Sequence, residues 1–146
     1  MKDNLEPKFI WDEETGVSTC VLTDGKDIYL GTAKCKEIDR DMMNEKTGCE
    51  IASMRAEIEY FKKLKNNELT PALNALKGVL FTLEHSEKSD EYSKEIIRRQ
   101  IHRIKNDLAV VRYLKAEKEQ ALTDYIAAKT DFYNRIRKNR EKGKNN

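Results

Sequence analysis

The chain has 146 residues, of which 37% are charged and 38% are hydrophobic, and its formal net charge is +2. This length fits one domain with a modest core, and the composition is typical of long amphipathic helices with broad solvated faces. No run of about 18 apolar residues occurs, and the N-terminus lacks the apolar segment of a secretory signal. We therefore expect no membrane association and a cytoplasmic location.

The residues that usually carry chemistry are few. Cys20, Cys35 and Cys49 are odd in number and widely spaced, which favours reduced thiols over a disulfide framework or a metal site. The glycines are scattered singly, so no phosphate-binding loop is predicted, and His85 and His102 are each predicted to lie at the surface. We expect no catalytic residue, no metal and no cofactor, and hence a non-enzymatic protein.

The N-terminal region, residues 8–35, is predicted to form a three-stranded antiparallel meander, because short apolar runs alternate there with turn signals. Asp24 and Gly25 suit a two-residue hairpin turn, which places Val21 opposite Ile28. The residues that this register assigns to the core face are Thr19, Val21, Ile28 and Leu30. The opposite face is not strongly polar either, so both faces are expected to be covered.

The following region, residues 47–85, is predicted to form two helices. Apolar residues recur along it at helical spacing, and an asparagine pair at 66–67 interrupts the pattern. Thr70 can cap the second helix, and Pro71 suits its first position. This helix is expected to end near His85.

The last long segment, residues 90–140, contains neither proline nor glycine and is predicted to form one helix. Its apolar residues first follow the heptad spacing of a helix that packs along a seam. These seam residues are Ile97, Ile101, Ile104, Leu108 and Val111. Lys115 and Lys118 then interrupt the stripe, so a kink near 116–119 and a helical hairpin are alternatives. Residues 141–146 are predicted to form a basic tail.

Together these elements predict an α+β fold in a single domain of residues 1–146. The N-terminal three-stranded antiparallel meander is followed by a mainly helical bundle with one long C-terminal helix. The apolar stripe of that helix needs a partner, so a homodimer that forms a coiled coil is expected. The chain is also dipolar, since residues 1–50 hold seven basic and twelve acidic residues, whereas residues 129–146 hold seven basic and two acidic ones.

Acidic residues concentrate in the loops of the meander and in the connector that follows it. They are predicted to form one acidic face that mimics a phosphate backbone and binds a protein partner, although scattered solubilising charges would give the same composition. The acidic face comprises Asp12, Glu13, Glu14, Asp24, Asp27, Glu37, Asp39 and Asp41.

Two basic clusters on the long helix are candidates for contact with a protein partner or with nucleic acid. The second lies at the C-terminal end, where aromatic neighbours and a basic run suit phosphate contacts. Basic residues there also complement the negative end of the helix dipole. The first cluster comprises Arg98, Arg99 and Arg103, and the second comprises Arg135, Arg137, Lys138 and Arg140.

One block of the sequence resembles a pattern in small accessory proteins of bacteriophages and prophages of Gram-positive bacteria. Its residues are Gly31-Thr32-Ala33-Lys34-Cys35, Asp39, Asp41-Met42-Met43, Glu45-Lys46-Thr47-Gly48-Cys49, Ile51-Ala52 and Arg55-Ala56. The resemblance covers residues 8–65. It implies a phage protein that acts in the cytoplasm of the host bacterium, where such proteins often inhibit host defence, as anti-CRISPR proteins do. It implies no catalytic residue.

Three functions are open at this point. The leading hypothesis is a non-enzymatic protein that occludes a host macromolecule, with a bacterial defence nuclease or its nucleic-acid complex as the expected target. The alternative is a nucleic-acid-binding accessory protein that uses the basic C-terminal end of the long helix. The third is an enzyme or a protein that sequesters a small nucleotide in a pocket at a subunit interface.

Overall fold

The structure, a computed structural model, describes residues 5–36, 44–88 and 90–144. Three strands are followed by helices, which confirms the predicted α+β class. The strands are β1 (Glu6–Asp12), β2 (Val17–Thr23) and β3 (Ile28–Lys34), and the helices are α1 (Glu45–Lys63), α2 (Thr70–Glu84) and α3 (Glu91–Lys144).

The Cα positions divide the chain into two compact units. The first, here called the sheet unit, comprises Met1–Glu59 and Glu117–Asn146, and the second, the hairpin unit, comprises Tyr60–Ala116. Helices α1 and α3 each contribute residues to both units. The single-domain organisation stays a prediction.

The strands pair in the order β1-β2-β3, and both pairs are antiparallel. Val21 lies opposite Leu30, so the predicted pairing of Val21 with Ile28 is wrong. The turn holds four residues, 24–27, instead of two. It is longer because the Asp24 carboxylate accepts hydrogen bonds from the two backbone N–H groups after the glycine, at 2.9 and 2.8 Å.

The buried face of the sheet is the opposite of the predicted one. Ile28 and Leu30 are 56% and 53% exposed, whereas the residues that alternate with them are buried. The buried residues of the sheet are Ser18, Cys20, Leu22, Tyr29 and Ala33. The prediction of a core face of Thr19, Val21, Ile28 and Leu30 is therefore wrong, because α1 packs against the other side of the sheet.

Helix α1 approaches the sheet closely at two glycines. A Cβ atom on Gly31 would lie 2.0 Å from the carbonyl oxygen of Ala52 and 2.4 Å from the backbone nitrogen of Ala56. A Cβ atom on Gly48 would lie 2.1 Å from Oγ of Ser18. Strand and helix therefore meet backbone to backbone, and the small, fully buried alanines of α1 make that contact possible.

The C-terminal part of α3 packs on α1 within the sheet unit. Nζ of Lys118 lies 2.9 Å from Oε2 of Glu57, and both side chains are partly buried. Burial raises the pKa of Tyr125, a hydrogen bond with Glu50 raises it further, and one with Thr47 offsets part of the rise. The lysine that interrupts the apolar stripe in the sequence is thus a packing residue with its own ion pair.

In the hairpin unit, α2 and the first part of α3 share an apolar core. Leu73, Ile101 and Leu108 are buried at its centre. The partly buried residues packed against them are Leu69, Leu76, Leu80, Ile97 and Ile104. The predicted seam of α3 is confirmed as a packing surface, and its partner is the preceding helix of the same chain.

The chain remains helical between α1 and α2. A π-helical turn, Leu64–Leu69, connects them, and Leu69 and Thr70 both have right-handed helical backbone angles. The predicted interruption at 66–67 falls in this π-helical turn, which separates the two α-helices, whereas the predicted Thr70 cap is wrong because Thr70 is already helical. A π-helical turn accommodates an inserted residue without ending the helical path. The chain therefore stays helical through the asparagine pair.

Helix α3 is one helix of 54 residues, so the hairpin alternative for the last segment is wrong. Its helical hydrogen bonding continues through residues 116–119. Asp90 caps its start, because Oδ1 accepts a hydrogen bond from the backbone N–H of Ser93 at 2.6 Å. The two hydrogen bonds from Ser93, first the backbone one and then the side-chain one, lower the pKa of Asp90.

We expect the substitution Gly31→Ala to lower the free energy of unfolding by at least about 2 kcal/mol, since the new Cβ meets backbone atoms that cannot move aside. Gly78→Ala is the matched control: Gly78 lies on the exposed side of α2 with open space around it, so alanine should stabilise by about 0.5–1 kcal/mol. Urea unfolding measures the change in the free energy of unfolding for each variant. Equal stability of the two variants would contradict the close packing of α1 on β3.

We expect Asp90→Ala to lower the midpoint of thermal unfolding at pH 7, because the start of α3 loses its cap. The folded-state pKa of Asp90 lies below the unfolded value, so its stabilising contribution is present above about pH 4 and is lost as the pH falls further. Thermal unfolding of both proteins between pH 7 and pH 2.5 measures this. The difference between them should shrink towards low pH, and a constant difference would contradict a charged cap.

Candidate ligand-binding cavity

A cavity of about 120 Å³ opens in the sheet unit where one end of the sheet, the start of α1 and the C-terminal part of α3 meet. Its charged and aromatic lining consists of Lys34, Lys36, Lys129, Trp11 and Tyr133. Further polar groups in the wall are the hydroxyls of Thr47 and Thr130 and the thiol of Cys35. Lys129 is partly buried in this wall, whereas Lys34 and Lys36 are exposed at the rim, and Lys34 shares the exposed face of β3 with Ile28 and Leu30.

Helix α3 contributes to the cavity through one face. Ile126, Lys129 and Tyr133 are spaced by three and four residues and therefore project from the same side of the helix. Nζ of Lys129 lies 5.5 Å from the centre of the Tyr125 ring, a cation–π contact that orients the lysine along the helix. The lysine is partly buried, so water screens its attraction to a nearby anion less than it would for a fully solvated lysine.

The sheet contributes the last residues of β3 and the residues that follow it. The backbone N–H of Cys35 donates a hydrogen bond to the carbonyl oxygen of Gly16 at 2.9 Å, so the chain stays anchored to the β1–β2 turn one residue beyond the strand. This bond holds Lys34 and Lys36, the neighbours of Cys35, at the rim of the cavity.

The start of α1 forms the third wall. Asn44 caps the helix, since its Oδ1 accepts hydrogen bonds from the backbone N–H groups of Lys46 at 2.9 Å and Thr47 at 3.4 Å. This cap starts α1 at Glu45 rather than at residue 47. The positive end of the helix dipole adds to the potential in the cavity, but the capped N–H groups already have an acceptor. Recognition of a ligand therefore depends on the lysines.

The electrostatics of the cavity favour an anion. Among the described residues that line it, three carry a positive charge and none carries a carboxylate. Ammonium groups form charge-assisted hydrogen bonds with phosphate or carboxylate oxygens, and threonine hydroxyls can add neutral ones. The aromatic rings of Trp11 and Tyr133 offer contact to an apolar or aromatic part of the same ligand.

Cys20, Cys35 and Cys49 are free cysteines. Burial raises the pKa of the Cys20 thiol, the Glu57 carboxylate raises it further, and a hydrogen bond with Ser53 offsets part of the rise. Burial, followed by the Glu45 charge, likewise raises the pKa of Cys49, with the nearby Ser18 hydroxyl offsetting part of it. Cys35 differs from both because it lines the cavity.

The described members of the predicted acidic face are divided between two turns. Asp12, Glu13 and Glu14 lie at the β1–β2 turn, whereas Asp24 and Asp27 lie in the β2–β3 turn, at the other end of β2. Seven residues of extended chain separate the two turns by about 20 Å. The carboxylates of Asp12 and Asp24 accept backbone hydrogen bonds within their own turns, which is a turn-forming role. Glu37, Asp39 and Asp41 lie outside the described residues.

The first basic cluster is partly paired with acidic neighbours in the hairpin unit. Arg98 lies 3.7 Å from Glu84 and 3.8 Å from Glu91, and Arg99 lies 3.3 Å from a glutamate one turn earlier. Arg103 is exposed on the same helix. Exposed ion pairs of this kind contribute little energy, so they leave the arginines able to bind a partner.

The second basic cluster lies near the end of α3, in the sheet unit. Arg135 lies 3.0 Å from Asp131, and Arg137, which is partly buried, donates a hydrogen bond to Asn134. The exposed members of the cluster are Arg135, Lys138 and Arg140. The cavity lysine, Lys129, lies on the same helix two turns before Arg137.

The cavity lysines were not among the predicted site residues. Two signals were present in the sequence: Lys34 and Lys36 flank a cysteine, and Lys129 and Tyr133 share a helix face. Neither signal shows that these segments meet, because more than ninety residues separate them along the chain. Their convergence depends on the packing of α1 and α3 on the sheet.

Two further properties concern the described residues alone. No group of three or more His, Cys, Asp or Glu side chains among them could hold a metal ion. None of their helices combines the length and the apolar character that crossing a membrane requires.

Comparison of the chain with protein-family profiles, with curated proteins and with solved structures gave no match. We therefore infer the function from the geometry of the cavity and of the helix surfaces.

We expect the three thiols to react with iodoacetamide at pH 8 in the order Cys35, Cys49, Cys20. Cys20 is fully buried with a raised pKa, and burial also raises the pKa of Cys49, so both hold less of the reactive thiolate. Peptide mass spectrometry over a time course gives the order. Faster labelling of Cys20 than of Cys35 in the folded protein would contradict the assigned burial, and unfolding in urea should equalise the three rates.

Proposed function

We propose that the protein binds a small phosphorylated aromatic molecule, of the nucleotide class, in the cavity of the sheet unit, without chemically changing it. The observation that supports this proposal is a cavity whose described lining includes three lysines and two aromatic residues and no carboxylate. Of the three functions left open by the sequence, this arrangement favours sequestration of a small nucleotide.

The charge of the cavity matches a phosphate monoester better than a neutral ligand. Such a group carries between one and two negative charges at pH 7 and has three oxygens that accept hydrogen bonds. Lys129 can supply a charge-assisted hydrogen bond, which contributes about 1.5–3 kcal/mol, and the exposed Lys34 and Lys36 add positive potential at the rim. The volume of about 120 Å³ suits the phosphate and the part of the ligand next to it.

The aromatic residues extend the same argument to the rest of the ligand. Trp11 on β1 and Tyr133 on α3 approach the cavity from different elements. A planar heterocycle can stack on such rings, and stacking contributes about 1–3 kcal/mol per base in proteins that bind single-stranded nucleic acid. A phosphate joined to an aromatic base would use both kinds of contact.

The proposed nucleotide binding, combined with the resemblance to phage and prophage proteins, suggests a role in withholding a host metabolite. A phage-encoded protein in the bacterial cytoplasm would withhold a phosphorylated host metabolite by binding it. Such a role needs a tight site but no catalytic residue, in keeping with the expectation of a non-enzymatic protein.

We expect isothermal titration calorimetry to show tighter binding of adenosine 5′-monophosphate than of either inorganic phosphate or adenosine. Lys129→Gln should weaken binding of the monophosphate about tenfold or more, since it removes one charge-assisted contact and leaves the packing of α3 intact. Lys77→Gln on the exposed side of α2 is the matched control and should bind as the unaltered protein does.

Two results would contradict the proposal. One is the absence of binding for every phosphate-bearing probe, and the other is an equal loss of affinity in the Lys129 and Lys77 variants, which would indicate general charge attraction. Native mass spectrometry of the purified protein adds an independent check, because a retained natural ligand would appear as a mass shift.

Occlusion of a host macromolecule, with a defence nuclease as the expected target, is the second candidate function. An exposed stripe on the hairpin-unit part of α3 favours it, and this stripe is independent of the cavity. The homodimer also stays a proposal: the predicted seam of α3 packs on α2, so a dimer would have to use another surface.

A further inference from the structure

Helix α3 carries a second heptad stripe in the hairpin unit, separate from the buried seam. Its members are spaced alternately by four and three residues, as in a helix that packs along another helix. This arginine stripe comprises Tyr92, Ile96, Arg99, Arg103, Asn106, Val110 and Tyr113. At about 100° per residue, its centre lies about 150° around the helix from the seam that packs on α2.

The apolar residues of the arginine stripe lie at its two ends and are exposed. Tyr92 is 75% and Tyr113 67% exposed, and Ile96 and Val110 lie nearer the middle at 38% and 46%. Helix α2 packs on the other side of α3 and cannot cover these residues. Aromatic and aliphatic side chains held outward at regular helical spacing form a ready contact surface for another helix.

The centre of the stripe is positively charged. Arg99 and Arg103 lie one turn apart, between the two apolar ends. Nε of Arg99 lies 3.3 Å from Oε1 of Glu95, and both side chains are more than half exposed, so this pair is a weak one. A partner would therefore meet apolar contacts at both ends and guanidinium groups in the middle.

We propose that the arginine stripe docks an amphipathic helix of a protein partner, with apolar residues towards the ends of that helix and Asp or Glu at its centre. The stripe is about 30 Å long, so a partner helix of about 20 residues would cover it. Opposite charges at the centre fix the register and the choice of partner, while the apolar ends supply most of the contact area.

A second copy of this chain fits the stripe poorly. The midpoint of the stripe falls near Arg103, so antiparallel copies would bring this arginine against its own counterpart, and parallel copies would stack like charges as well. Nucleic acid also fits poorly, because the two cations form one short positive patch with aliphatic residues on both sides. Phosphate backbones are bound by basic residues repeated along a groove.

The experiment uses the full chain and two synthetic helical peptides of about 20 residues. The peptides share leucines towards both ends and differ at the central positions that face the stripe, which are glutamate in one and lysine in the other. Fluorescence anisotropy should show that the acidic peptide binds at least about tenfold more tightly than the basic one. In the double variant Arg99→Glu, Arg103→Glu, the preference should reverse.

Lys105→Glu is the matched control, since Lys105 is exposed on another side of the same helix, and it should leave the preference unchanged. Circular dichroism confirms that the variants fold. Equal binding of the two peptides, or no binding of either, would overturn the proposal. Salt-sensitive binding of duplex DNA that disappears in the double variant would also overturn it. A dimer that light scattering detects, and that the substitution Val110→Arg dissociates, would overturn it as well.

Discussion

The contact between α1 and the sheet is the constraint on which the sheet unit depends. At Gly31 the backbone of β3 lies so near the backbone of α1 that a single methyl group would overlap Ala52. This contact decides which face of the sheet is buried, and it explains why residues as apolar as Ile28 and Leu30 remain exposed. It also positions the start of α1, and hence one wall of the cavity, against the end of β3. The cavity is a consequence of how closely these elements pack.

Charge is used differently in different parts of the molecule. Asp12 and Asp24 shape the turns of the meander, Asp90 starts α3, and Lys118 pairs with Glu57 where α3 packs on α1. These groups are committed to the fold. The cavity lysines instead belong to the lining of a space whose described walls hold no carboxylate. A site that gathers like charges without a protein counterion is stabilised by a ligand of opposite charge, which is the physical basis of the proposed anion binding.

The cavity and the arginine stripe are separate surfaces with different chemistry. The cavity is small, partly enclosed and suited to one phosphorylated molecule, whereas the stripe is long, open and suited to a helix. Both carry positive charge, so the partners of both are expected to be acidic. A protein that sequesters a small anion needs only the cavity, while a protein that occludes a macromolecule needs only the stripe. The lysine and arginine substitutions act on one surface each and can therefore separate the two functions.

The sequence alone determined the α+β class and the seam of α3, because each depends on local composition or on a period within one element. It left open whether the last segment is one helix or a helical hairpin. Local patterns could not decide the strand register, the buried face of the sheet or the path through residues 64–69. The register depended on a turn that Asp24 lengthened, and the buried face depended on where glycine and alanine allowed a helix to approach. Of the candidate site, the sequence named the basic end of α3 but not the cavity. Lys34, Lys36 and Lys129 lie far apart along the chain, and only the packing of three elements brings them to one space.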